Sequence, residues 1–98
     1  GIYYRNSLKF FSNNNTERFV MESGGHFRPA ANNVGDLGTT ALRWRNIYTN
    51  DLQLSNEGNS NEVDGTWGNY TIQEGESDLF LINNRNGKKY QFMLKEVS

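Results

Sequence analysis

Residues 25–48 read GHFRPAANNVGDLGTTALRWRNIY, and they separate a part of the chain with short strands from a part rich in hairpins. The Arg28-Pro29 pair favours an extended approach, because proline disfavours the helical region for the residue before it. Within Val34–Gly38, two glycines can adopt positive φ around an aspartate that can bond its own backbone. The chain is therefore expected to turn sharply here.

A compact corner is expected directly after this turn. A threonine hydroxyl at position 39 or 40 can accept a hydrogen bond from an unpaired N–H of one short helical turn over Ala41–Trp44. That turn would carry the indole of Trp44 into the core. The apolar residues expected around the indole are Leu37, Leu42 and Ile47.

Composition limits the class of protein. The 98 residues form one domain at most. Apolar residues make up 35% of the chain, below the typical ~45–50%, whereas aromatic residues reach 13%, and disordered chains are poor in them. A core completed by identical neighbours fits this mixture. The net charge of −1, the lack of cysteine and the lack of a long apolar run argue against nucleic acid, disulfides and membrane insertion.

Alternating apolar and polar residues predict an all-β fold of short strands and hairpins with long turns. Three segments follow from the pattern: short-strand repeats over 1–25, the corner and following strands over 26–54, and an exposed loop with the final hairpin over 55–98. A turn is expected at Asn13–Thr16, and the exposed loop at Ser55–Gly65. The predicted strands before the final hairpin are Ile2–Tyr4, Leu8–Phe11, Arg18–Glu22, Ile47–Thr49, Leu52–Leu54 and Thr66–Ile72.

The final hairpin can close in two registers. A two-residue turn at Asn86-Gly87 would mix apolar and polar side chains on both faces. A three-residue loop, Arg85–Gly87, with Gly87 in the left-handed conformation, separates them, so this register is expected. One face would then hold Phe80, Ile82, Tyr90 and Phe92, and the other Leu79, Leu81 and Met93. Because both faces would be apolar, a second copy of the chain is expected to cover one of them.

No pattern of residues predicts catalysis, a metal site or a cofactor. His26 is the sole imidazole and has no cysteine partner. Glu74, Glu76 and Asp78 have the spacing of paired carboxylates but surround a turn glycine, so they read as solvated charges. Asn56–Asp64 is rich in oxygen atoms without the spacing of a calcium loop.

Exposed aromatic and amide side chains are the candidates for recognition. Trp67 follows the polar loop and has glycines nearby at positions 65 and 68, so its indole is expected at the surface, where it could stack on a sugar ring. The loop is longer than usual connections of ~4–6 residues, and long loops on rigid scaffolds often carry binding residues. The predicted receptor-contact residues are Trp67, Asn59, Asn61 and Tyr70.

The motifs of residues 25–48 also resemble a known family. An aromatic-x-Pro, an Asn-rich linker, Asp36-Leu37-Gly38 and Arg43-Trp44-Arg45-Asn46-Ile47-Tyr48 look like a segment near the distal ends of bacteriophage tail fibres of the marine and environmental type. Ile2–Phe10 is similar to the shaft repeats of such fibres. Asn69–Glu76 and Asn83–Tyr90 look like a common carboxy-terminal ending. The resemblance covers nearly the whole chain.

The resemblance implies an elongated, intertwined homotrimer in the virion, outside the host cell. The implied function is structural: the distal part of the fibre stabilises the trimer and contacts a polysaccharide or protein of the host surface. A carbohydrate-binding module and, remotely, a fragment of an enzyme are the alternatives. The residues expected to hold the structure are Phe27, Pro29, Asp36, Leu37, Gly38, Arg43, Trp44, Ile47, Tyr48, Phe80, Ile82, Gly87, Tyr90 and Phe92.

Overall fold

A computed structural model describes residues 6–98 as seven β-strands in two antiparallel sheets, which confirms the all-β prediction. These residues contain no helix, and so none that could cross a membrane. The predicted strand Ile2–Tyr4 lies outside the described residues. The chain divides into two compact units between Arg45 and Asn46, each with one sheet. The strands are β1 (Leu8–Ser12), β2 (Thr16–Met21), β3 (Phe27–Pro29), β4 (Leu52–Ser55), β5 (Asn69–Glu74), β6 (Leu79–Asn83) and β7 (Lys89–Gln91).

The first sheet begins with a hairpin whose turn consists of asparagines. Asn13–Asn15 all have positive φ, between 52° and 64°, a conformation that asparagine tolerates better than most residues. The Thr16 hydroxyl donates a hydrogen bond of 2.8 Å to the Asn13 carbonyl. The predicted turn is therefore confirmed, and it joins β1 to β2 in the order β1-β2-β3.

One face of the first sheet is rich in phenylalanine. The Phe27 ring meets the edge of Phe10 at 5.9 Å and stacks on Phe19 at 5.8 Å, measured between ring centroids. Phe10 and Phe27 nevertheless stay about half exposed. On the opposite face Val20 is 1% exposed, and it is the only buried apolar side chain in residues 6–98. The larger apolar face of this sheet thus stays largely exposed among the residues that the structure describes.

The corner turns as predicted but forms no helical turn. Gly35 and Gly38 have φ of 82° and 88°. The Thr39 hydroxyl accepts a hydrogen bond of 2.9 Å from the Leu42 N–H, as the capping prediction required. However, the Thr39 N–H also donates to the Leu42 carbonyl at 2.9 Å. Because this carbonyl points back to residue 39, it cannot continue a helix, and the segment is a closed bend.

Trp44 is exposed within the single chain, so the corner does not fold its apolar residues inward as predicted. Its exposed fraction is 66%, and Leu37, Leu42 and Ile47 are exposed to a similar extent. A Cβ atom at Gly38 would lie 3.6 Å from Cδ1 of Trp44, which places the indole against this glycine. A bend this short cannot form a second layer over a ring of that size, so most of the ring faces solvent.

The second sheet is a meander, β4-β5-β6-β7, with opposite faces of different character. Its register aligns Leu52, Ile72, Leu81 and Tyr90 in one row across all four strands. Because side chains alternate along a strand, the neighbouring positions of these residues point to the other side. We call the side of this row the apolar face: Leu52, Leu54, Tyr70, Ile72, Leu79, Leu81, Tyr90 and Phe92. None of these eight residues is buried.

The opposite face has a hydrogen-bonded polar centre. Thr71 is only 6% exposed. Its hydroxyl donates to Oε1 of Gln53 at 2.7 Å and accepts from Nδ2 of Asn84 at 2.9 Å. This face also carries Gln73, Lys89 and Gln91 beside two apolar residues, Phe80 and Ile82. The second sheet therefore resembles half of a two-layer structure, with one polar side and one apolar side.

The register of the final hairpin differs from the predicted one. Leu81 pairs with Tyr90 and Ile82 with Lys89. The Asn83 N–H also donates to the Lys88 carbonyl at 2.8 Å, so the loop between these two residues has four members, Asn84–Gly87. The Asn83 side chain accepts from the Arg85 N–H, and that of Asn86 accepts from the Lys88 N–H. These two bonds favour the longer loop. The predicted face of Phe80, Ile82, Tyr90 and Phe92 is therefore wrong, because Phe80 and Ile82 lie opposite the other two.

Two further strand predictions need correction. Ile47–Thr49 is not a strand, because no neighbouring segment of residues 6–98 pairs with it. Strand β5 begins at Asn69 rather than at Thr66, because the residues before it fold back toward the end of β4. The predicted strand Leu52–Leu54 is confirmed as β4.

Replacing Gly87 by valine should destabilise the hairpin. Gly87 has φ of 77°, and nothing lies within 4 Å of a Cβ atom built there, so backbone strain alone sets the cost. We expect Gly87→Val to lower the free energy of unfolding by about 1–2 kcal/mol, measured by urea denaturation. Gly87→Asn is the control and should cost less, because asparagine tolerates this conformation. Equal stability of Gly87→Val and the parent would contradict the left-handed assignment.

Candidate functional site

A groove of about 570 Å³ lies where β4 ends and β5 begins. We call it the Trp67 groove, and the residues that give it its chemistry are Gln53, Ser55, Asn56, Asp64, Trp67 and Tyr70. A neighbouring groove of about 450 Å³ shares Trp67 and Tyr70 with it but has Asn83, Arg85 and Asn86 as further walls. The two aromatic side chains therefore line both depressions.

The loop that forms one wall of the Trp67 groove is ordered by its own side chains. Oδ1 of Asn61 accepts hydrogen bonds from the N–H groups of Val63 and Asp64, at 2.8 and 2.9 Å. Nδ2 of Asn61 donates to Oδ1 of Asp64 and to the carbonyl of Thr66. The loop is exposed as predicted, yet the side chain of a single asparagine forms hydrogen bonds to three other residues of this region. Replacing Asn61 would therefore remove the hydrogen bonds that order the loop.

Asp64 completes this network. Its Oδ1 accepts from the Thr66 hydroxyl at 2.7 Å, from Nδ2 of Asn61 at 2.8 Å and from the Thr66 N–H at 3.1 Å. Because all three donors favour the ionised form, they hold the pKa of Asp64 below its ordinary value of 3.8, with the Thr66 hydroxyl as the largest cause. The carboxylate therefore carries a negative charge at neutral pH.

The indole of Trp67 is held in place by Arg85. The guanidinium carbon of Arg85 lies 3.7 Å from the centroid of the Trp67 ring, and its Nη1 donates to the Trp67 carbonyl at 3.0 Å. Such a cation–π contact contributes about 0.5–1 kcal/mol at an exposed site. Asn56 anchors the next residue, because its Oδ1 accepts from the Gly68 N–H at 2.8 Å. Trp67 is therefore half-buried, with Arg85 bound to its ring and carbonyl and Asn56 bound to the residue that follows it.

Tyr70 fits against the backbone at Gly68. A Cβ atom at Gly68 would lie 2.8 Å from Cε2 of Tyr70, closer than side-chain atoms normally approach. The absence of a side chain at this position thus allows the phenol ring to lie against the backbone of Gly68. Nδ2 of Asn83 lies 3.5 Å from the Tyr70 hydroxyl, a long hydrogen bond.

Three of the four predicted receptor-contact residues line the Trp67 groove: Trp67, Asn61 and Tyr70. Asn59 is exposed but does not line it, and both polar ends of the Asn61 side chain are used within the loop. Sequence reasoning missed Asn56, Asp64 and Arg85. Asn61 and Asp64 are three residues apart, a spacing that indicates a turn capped by side chains. The contact of Arg85 with Trp67 has no such local signal in the sequence.

Several predicted structural residues form a separate apolar pocket of about 470 Å³ in the first unit. The rings of Phe19 and Phe27 lie on one side of it and the corner on the other. Nη1 of Arg43 donates to the Thr40 carbonyl at 2.8 Å, which helps to close the corner. The corner residues in the wall are Asp36, Leu37, Gly38, Leu42, Arg43 and Trp44. Pro29 lies in β3, and Tyr48 is 93% exposed.

The acidic and histidine side chains form no cluster. Among residues 6–98, no group of three or more His, Asp or Glu side chains is close enough to hold a metal ion. His26, Glu74 and Glu76 are exposed. Oδ1 of Asp78 accepts from Nε2 of Gln91 at 2.6 Å, which ties the turn after β5 to the end of β7. Of the three carboxylates near Gly75, that of Asp78 therefore stabilises the turn.

Comparisons of the chain with protein-family models, with curated proteins and with solved structures find no match.

The loop should lose a contribution to its stability in acid. A lowered pKa means that the carboxylate form of Asp64 stabilises the fold above pH 3.8 and that this contribution disappears as the pH falls through the lowered pKa. Thr66→Val removes the strongest donor, so the pKa of Asp64 should rise toward 3.8, measured by the carboxyl carbon shift in an NMR titration. Ser55→Ala, in the same groove, should leave it unchanged. An identical Asp64 titration in Thr66→Val and the parent would refute this assignment.

Proposed function

We propose that the chain is a structural, self-assembling piece of a fibre, whose copies cover one another's apolar faces. The observation that carries the proposal is the exposure of apolar side chains on both sheets. Val20 is the only buried apolar side chain in residues 6–98, whereas Phe10, Phe27, Leu52 and Leu54 each expose between 46% and 54% of their surface. A sheet needs a second layer over its apolar side, and further copies of the chain can supply that layer.

The apolar face of the second sheet is the main surface for this assembly. An antiparallel sheet usually packs its apolar side against another layer. Leu52, Leu54 and Tyr90 on this face each expose 46–47% of their surface. Burying a leucine side chain contributes about 1.5–3 kcal/mol. Identical copies bring identical faces together, and closed symmetry also removes the unpaired edges of β4 and β7.

The resemblance of residues 25–48 to the distal segments of phage tail fibres supplies the biological setting of the proposal. In that setting the assembly is a homotrimer, it resides in the virion outside the host cell, and it contributes to contact with the host surface. The exposed corner supports the same idea, because Trp44, Leu42 and Leu37 would gain cover from neighbouring copies. The proposal includes no enzymatic activity.

The test is the mass of the protein in solution. Light scattering behind a sizing column at micromolar concentration should give about three times 11.3 kDa. Leu52→Lys places a charge on the apolar face. Because burying an unpaired charge costs free energy, the variant should shift the mass toward that of a single chain. Gln73→Lys, on the opposite face, should leave the mass unchanged.

Circular dichroism of each variant shows whether the β-structure persists, so that loss of assembly can be separated from loss of folding. A parent protein that elutes as a single folded chain would overturn the proposal. So would a Leu52→Lys variant that assembles like the parent.

A further inference from the structure

We propose that the Trp67 groove binds a sugar ring of an oligosaccharide. Tyr70 lines this groove and also belongs to the apolar face, so the inference requires that assembly leave the groove open. A pyranose has a C–H face, which packs against aromatic rings, and a rim of hydroxyl groups, each both donor and acceptor. The Trp67 groove offers aromatic surface and unused polar atoms of both kinds within one concave site.

The aromatic surface comes from the side of Trp67 that Arg85 does not occupy. Trp67 lines both grooves, whereas Arg85 lines the neighbouring groove and not the Trp67 groove. The guanidinium therefore holds the indole from one side, while another part of the residue faces the Trp67 groove. Tyr70, held against Gly68, adds a second ring. A half-buried indole supported from behind presents its surface without losing side-chain entropy on binding.

The polar lining has spare hydrogen-bonding capacity. Three polar side-chain atoms of the lining make no hydrogen bond with another atom of residues 6–98: Nε2 of Gln53, Nδ2 of Asn56 and Oδ2 of Asp64. The side-chain oxygen Oε1 of Gln53 and the Oδ1 atoms of Asn56 and Asp64 each accept at least one hydrogen bond. The two amide groups can donate to a sugar hydroxyl, and the carboxylate oxygen can accept from one. Hydrogen bonds to a charged acceptor are the stronger kind. The lining is therefore complementary to hydroxyl groups.

The order of the loop makes the site ready before binding. The bonds of Asn61 within the loop, and that of Asn56 to Gly68, fix the wall that carries Asp64. Because these groups are fixed on folding, little ordering remains to oppose binding. A volume of about 570 Å³ is within the usual range for ligand sites, ~300–1,000 Å³.

Other ligand classes fit this groove less well. A nucleic acid needs cationic contacts to its phosphates, but the only charged side chain that lines the groove is the anionic Asp64. A calcium ion needs six to eight oxygen ligands, and Oδ1 of this carboxylate is already used by three donors. A lipid tail would leave the amide groups without partners. A hydroxyl-rich ring satisfies both the aromatic and the polar walls.

The first experiment measures binding on the assembled protein. The probes are glucose, galactose, mannose and N-acetylglucosamine at millimolar concentration, followed by a printed array of neutral and acidic oligosaccharides. In NMR spectra, the indole N–H signal of Trp67 should shift in a saturable way with at least one probe. The indole signal of Trp44 is the internal control and should not move. The absence of binding to every sugar of the array would overturn the proposal.

Variants then test the assigned groups. Trp67→Ala should weaken binding more than about tenfold through loss of apolar contact, whereas Tyr48→Ala, which removes an exposed aromatic ring elsewhere, should leave binding unchanged. Asp64→Asn should weaken it roughly tenfold through loss of a charged acceptor. The mass of each variant is measured in parallel.

If Trp67→Ala fails to assemble, Asp64→Asn decides the question, because an amide oxygen can still accept from Thr66. Sugar binding by Asp64→Asn that equals the parent's would overturn the assignment. Because the readout is sugar binding, a protein that binds sugar as a monomer would refute the assembly proposal and support this one.

Discussion

Within residues 6–98, each sheet has an apolar face whose large side chains stay exposed. In residues 6–98 only Val20 and Thr71 are buried, and one of these two side chains is polar. A sheet is stable when its apolar side is removed from water. The lack of cover on these faces therefore accounts for several exposed features of the structure. The exposed corner, the half-exposed phenylalanines of the first sheet and the leucines of the second sheet all follow from the same shortage of apolar residues.

The turns and most strands could be predicted from the sequence, because their signals are local. Glycines at 35, 38 and 87 adopt the positive φ that their context indicated, and the asparagine turn joins β1 to β2. The register of the final hairpin could not be predicted from the apolar pattern alone. Side-chain bonds of Asn83 and Asn86 lengthen its loop by one residue, and apolar residues on both faces left the register weakly determined.

The candidate site was predicted in part. A polar loop leading into a tryptophan indicated the region, but the hydrogen bonds of Asn61 and Asp64 that make this loop an ordered wall were not predicted. The contact between Arg85 and Trp67 joins residues 18 positions apart in the sequence, so no local pattern reveals it. For Trp44 the prediction failed because burial requires a covering layer, and a single chain of this composition does not supply one.

The strand order of the second sheet has a mechanical consequence. The chain enters through one edge strand, β4, and leaves through the other, β7, and each strand pairs antiparallel with the next. A pulling force applied to the two ends of this sheet would peel off one edge strand at a time, so that hydrogen bonds break in succession rather than together. Neighbouring copies packed on the apolar face would share such a load among several chains.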